Sequence, residues 1–191
     1  MARAFADPEA WNNLGMRSAQ QGQTDDAIRQ FKESLRLRPT YVTALVNLGN
    51  LYRHQGALDE AEKLLRRALE TTLDDPEVNY SLGMLFARQG KLDQSEQYLQ
   101  TALNWRPDYP DALNNLGVLF VREQRNSDAE KKFQACIQVA PDFDQAYLNL
   151  ARLYALEGEK HKAREVLLAL LQKQPQQPQH KVAQQELEML K

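Results

Sequence analysis

The chain has 191 residues, 26% of them charged and 42% hydrophobic, with a formal net charge of −2; this is the composition of a folded globular protein without the basic stripe that a nucleic-acid backbone demands. Its longest apolar stretch, Val166 to Leu171, is too short to insert into a membrane as a spanning helix. A single cysteine, Cys136, cannot close an internal disulfide, and His54, His161 and His180 lack metal-ligand spacing, so neither metal nor other cofactor is expected.

The first seven residues, Met1 to Asp7, read as irregular and hold no apolar core of the kind an export signal needs, which leaves the compartment open and tilted towards the cytoplasm. Asp7-Pro8-Glu9 then opens a helix, because proline needs no N–H at the first helical position and the preceding aspartate can cap it. Gly22 ends that helix through a left-handed turn, and a second helix runs towards Pro39. The same signals return in segment 42–75, where Leu48, Tyr52, Ala61, Leu65, Ala68 and Leu69 recur at helical spacing and Gly56 marks the turn. Segment 76–109 opens at Asp75-Pro76-Glu77 and turns at Gly90; segment 110–143 opens at Pro110 but carries Gln124 at the turn, a departure that costs about 1 kcal/mol if the left-handed geometry is kept. Segment 144–177 turns at Gly158 and closes at Pro175, and Gln172 to Gln179 read as a solvated turn. Pro178 opens a final stretch, 178–191, with Val182, Ala183, Leu187 and Leu190 on one face and Lys181, Gln184, Gln185 and Glu188 on the other, as a capping helix requires.

All eight glycines and all eight prolines thus fall on one 34-residue period. Gly15, Gly49, Gly83 and Gly117 lie inside predicted helices, where glycine costs about 1 kcal/mol relative to alanine. Close approach of the partner helix is the expected compensation, and Ala151 at the same phase indicates a demand for smallness. Trp11, Leu14-Gly15, Gly22, Ala27, Phe31 and Pro39 in the first unit, and Tyr147, Leu150-Ala151, Tyr154, Gly158, Ala163, Leu167 and Pro175 in the fifth, resemble the tetratricopeptide repeat pattern. The resemblance implies an all-α, right-handed superhelical solenoid of antiparallel helix pairs, with five repeats at 8–41, 42–75, 76–109, 110–143 and 144–177.

In that family the first helix of each pair lines a concave groove that holds a partner protein. Phase 6 of the first helices gives Asn13, Asn47, Ser81, Asn115 and Asn149. Asparagine is a mediocre helix former, and its amide can both donate to and accept from a passing peptide backbone. The row resembles that lining the groove of the O-linked N-acetylglucosamine transferase repeat domain; the competing interpretation is that the amides bridge adjacent helices. Phase 9 adds Asn50, Met84 and Arg152 as candidate peptide contacts, with Tyr80 and Asn114 flanking the row. Glu9, Glu77 and Asp111 stand at helix starts and His54, Arg88, Arg122 and Arg152 towards the ends, a polarity that complements the helix dipole or, with Arg53, forms a basic strip selecting acidic ligands.

Chaperone-binding members clamp a terminal carboxylate with lysine, arginine and asparagine; here Asn12 and Met16, then Glu77 and Ser81, occupy phases of that clamp, which disfavours it. No nucleophile with its base, carboxylate pair or phosphate loop is present, so the chain is expected to bind a protein or peptide rather than catalyse. Cys136 shares its phase with Ser34, Ala68, Ala102 and Leu170 and reads as a small core residue. The first unit lacks a cover like that of the last, which leaves further possibilities: self-assembly through that unit, or excision from a longer parent, with the substrate-recruiting module of a larger enzyme as one alternative.

Overall fold

A computed structural model describes residues 7–172 and 178–190. Residues 1–6 of the irregular start expected at 1–7, Pro175 and most of the glutamine-rich turn lie outside the described residues. The described residues form eleven helices and no strand, and the chain divides into two compact units, the first ending at Trp105 and the second beginning at Arg106.

The first unit holds α1 (Pro8–Gln20), α2 (Thr24–Leu37), α3 (Val42–Gln55), α4 (Leu58–Thr71), α5 (Pro76–Arg88) and α6 (Leu92–Trp105). Asp7 Oδ1 accepts from the Glu9 amide at 2.9 Å, and Asp75 Oδ1 from the Glu77 amide at 2.8 Å, each cap standing just ahead of its proline. Between α1 and α2, α3 and α4, and α5 and α6 the chain reverses at Gly22, Gly56 and Gly90, with φ of 74°, 84° and 76°. In each turn the next residue's amide reaches back five positions, Gln23 to Ser18, Ala57 to Tyr52 and Lys91 to Phe86, at 2.9 to 3.0 Å. These bonds satisfy the carbonyls that a helix end leaves open.

Each hairpin is drawn tight at the interior glycine. A Cβ on Gly15 would lie 2.6 Å from the Phe31 ring, on Gly49 2.9 Å from Leu65 Cγ, and on Gly83 2.8 Å from Leu99 Cγ. The helices therefore approach until a large side chain of the second fills the space that the first leaves. Leu45, Leu65, Val78, Leu82, Leu85 and Phe86 form the main core of this unit, all of them fully buried. Ser34 Oγ donates to the Pro8 carbonyl at 2.6 Å, tying α2 to the start of α1.

The second unit holds α7 (Pro110–Arg122), α8 (Asn126–Val139), α9 (Asp144–Leu156), α10 (Lys160–Leu171) and α11 (Pro178–Met189). Gln124 adopts φ 60° and Gly158 φ 80°, so the glutamine keeps the left-handed geometry of the glycine turns. Arg125 donates back to Phe120 at 2.9 Å and Glu159 to Tyr154 at 2.8 Å, the same closure as in the first unit. Gly117 faces Phe133 as Gly15 faces Phe31, and a Cβ there would lie 2.6 Å from the ring. Cys136 is buried and donates from Sγ to the Pro110 carbonyl at 3.3 Å, the bond that Ser34 makes to Pro8. Burial pushes its thiol up to about 12, with the charge of Asp111 adding to the shift. Along α11, Ala183 is buried with Leu167 and Leu170, Val182, Leu187 and Leu190 pack around them, and Lys181, Gln184, Gln185 and Glu188 face outwards.

Candidate functional site

In the first unit the expected contacts lie on α1, α3 and α5. Asn13 is exposed, whereas Asn47 turns towards α1 and donates from Nδ2 to Oδ1 of Asn12 at 3.0 Å. Asn12 is itself buried, so this amide pair bridges two helices. Asn50 Nδ2 donates to Ser81 Oγ at 3.0 Å and ties α3 to α5 in the same way. Tyr80 and Met84 are half-buried on α5.

Arg53, His54 and Arg88 come together at the ends of α3 and α5. Arg53 Nε lies 3.4 Å from Asn50 Oδ1, one of its terminal nitrogens is 3.2 Å from His54 Nε2, and Arg88 lies 3.5 Å from the His54 carbonyl oxygen. Burial, then the charges of Arg53 and Arg88, hold His54 below its ordinary 6.5. Burial likewise lowers Arg53, Tyr80 opposing the shift and Arg88 adding to it. Among the described residues no carboxylate forms an ion pair with either arginine. Two cations and an imidazole converge there.

A separate hollow of about 430 Å³ is lined by residues that include Lys32, Leu35, Tyr52, Glu60 and Arg67, on α2, α3 and α4; none of the expected contacts lines it.

In the second unit Asn149 Nδ2 donates to Asn114 Oδ1 at 2.8 Å, while Gln145 donates to Asn149 Oδ1 at 3.0 Å. Asn114 is buried, and its amide serves the junction of α7 with α9. Asn115 donates to the Asp111 carbonyl of its own helix at 2.8 Å. Arg122, Asn149 and Arg152 border one hollow of about 330 Å³, with Val118, Val121, Leu153 and Leu156 as apolar lining and Phe133 behind them. A second hollow, about 320 Å³, lies on the other side of α9 against α11, where Ala151, Ala155, Leu167, Met189 and Leu190 surround Arg152 and Glu186. Arg152 is shared by both hollows. Its guanidinium is paired with Glu186 at 2.7 Å.

Two family models match the chain, one described as Tetratricopeptide repeat over residues 18–85 and one as the Cilia and flagella-associated protein 70 middle TPR-like domain over residues 55–172, more than half of the chain. The chain belongs to the tetratricopeptide repeat family. No curated protein matches it in sequence. Among solved structures, this tetratricopeptide chain is similar to PilF of Pseudomonas aeruginosa, with 20% identity, a TM-score of 0.82, and coverage of 100% of this chain and 90% of that one. MamA is 25% identical with a TM-score of 0.71, over 84% of this chain and 94% of that one. YrrB, described as a TPR protein with an unusual peptide-binding site, is 22% identical with a TM-score of 0.66, over 94% of this chain and 93% of that one.

Tetratricopeptide repeat proteins act as protein-interaction scaffolds, and the fold is typically non-catalytic. Among the described residues no group of three or more metal-ligating side chains occurs, and no helix is long and apolar enough to cross a membrane. Val118, Val121, Leu153 and Leu156 are absent from the sequence-based set of contacts. A signal for two of them was present: Leu156 occupies the phase of His54, Arg88 and Arg122 and is 70% exposed, and Val118 occupies the phase of Asn50, Met84 and Arg152.

Proposed function

We propose that the chain holds a peptide segment of a partner protein on the faces of its first helices, and that this segment carries acidic residues. The observation that carries the reading is the hollow on α7 and α9, where an apolar lining is bordered by Arg122, Asn149 and Arg152. Small-molecule and peptide sites combine such linings with a few placed polar groups. Arg53, His54 and Arg88 supply a second cationic point, with no carboxylate paired to either arginine among the described residues, and Asn13 offers an exposed amide. Within this reading the repeats are those at 8–41, 42–75, 76–109, 110–143 and 144–177, with α11 as their cover. The asparagine row then resembles that of the O-linked N-acetylglucosamine transferase repeats in position, with Asn47 and Asn149 spent on helix bridging.

Fluorescence anisotropy with labelled acidic peptides tests the proposal. The double variant Arg53→Glu/Arg122→Glu should lose roughly tenfold or more in affinity at unchanged melting temperature, since charge reversal converts attraction into repulsion. Unchanged affinity in that variant sinks it.

One observation favours a second reading, self-association through α1. Leu14 is 40% exposed, whereas Leu48 at the same phase of α3 is 1% exposed, covered in the fold as Leu14 is not.

A further inference from the structure

The peptide-holding reading says nothing of ligand sequence, but the two hollows flanking α9 do. Helices α7, α9 and α11 lie side by side within the second unit. One hollow sits between α7 and α9, the other between α9 and α11, and Arg152 contributes to both. Their separation is therefore one helix-to-helix step, about 8–10 Å.

That step discriminates between backbone conformations of a ligand. In a β-strand, side chains on one face recur every second residue, at about 6.6 Å and then about 13 Å, and both spacings miss the step. In a polyproline II helix one face recurs every third residue at about 3.1 Å per residue, which gives about 9.3 Å and falls within it. Both hollows are lined mainly by aliphatic side chains, Val118, Leu153 and Leu156 in one and Ala155, Met189 and Leu190 in the other.

Charge differs between them. Arg152 already holds Glu186, and Arg122 at the rim of the α7–α9 hollow makes no ion pair among the described residues. A carboxylate on the ligand meets an unsatisfied cation only beside the first hollow.

We propose that the α7–α9–α11 face selects a polyproline II segment with large apolar side chains at positions i and i+3, and an acidic residue adjoining the one that enters the α7–α9 hollow. This rests on the peptide-holding reading and adds a spacing rule to it.

The test uses the full chain and labelled peptides of one composition, acidic and proline-containing, with two leucines placed at i/i+2, i/i+3 or i/i+4, together with a leucine-free acidic control. The i/i+3 peptide should bind roughly tenfold or more tighter than the other two spacings, because only it seats both leucines at once. Ala155 and Leu156 are both exposed; filling the second hollow with Ala155→Phe, or opening the first with Leu156→Ser, should erase that preference at unchanged melting temperature. Equal affinity across the three spacings, or a preference for another spacing, overturns the rule and leaves the peptide-holding reading in place. No binding by any peptide, the control included, overturns both.

Discussion

Asn149 shows how one side chain can serve two purposes. Its Nδ2 is committed to the buried Asn114 and its Oδ1 to Gln145, so the bonds that position the side chain also occupy it. Replacing it with alanine removes a donor from a buried carbonyl oxygen, a loss of about 1–3 kcal/mol. We expect Asn149→Ala to lower the stability of the chain in urea denaturation by that amount while acidic-peptide affinity stays within about twofold, since the bridging amide, once satisfied, has little left to offer a ligand. A fall in affinity without loss of stability would show instead that the row reads the peptide backbone. Sequence alone leaves these two roles open, because an amide's partner is set by rotamers on helices 35 residues apart.

At the level of helices, the hairpins depend on an interior residue with almost no side chain. At Gly83 a Cβ would press on Leu99 Cγ at 2.8 Å and on the Leu99 backbone nitrogen at 3.2 Å. Gly83→Val adds three carbons to that contact and should separate α5 from α6 at a cost of about 1–3 kcal/mol, read as a lowered urea midpoint. A midpoint at or above that of the parent would show that the pair has slack. This architecture was legible in advance, since glycine and proline act on the backbone within a residue or two and so announce helix starts and turns directly. Gln124 illustrates the limit of the signal: its residue type does not specify φ 60°, and the expectation came from its place in the period. The hollows were not legible, because apolar residues on an otherwise polar stripe acquire meaning only once neighbouring helices are set beside them.

For the molecule as a whole, the exposed Leu14 and Met16 on α1 bear on association. If copies stack there, the mass measured by light scattering should rise with concentration and return to the monomer value in Leu14→Glu/Met16→Glu, because burying those charges opposes docking. A constant monomer mass in the parent chain would remove the second reading. The pairing of Arg152 with Glu186 has a different kind of consequence. A ligand carboxylate that displaces Glu186 from Arg152 releases the internal carboxylate to water, an exchange in which the number of ion pairs is conserved. An exchange of this sort adds little to affinity and is nearly insensitive to salt, whereas a new pair at Arg122 is neither. The salt dependence of peptide binding by this face should therefore report on one arginine, although two stand beside the ligand.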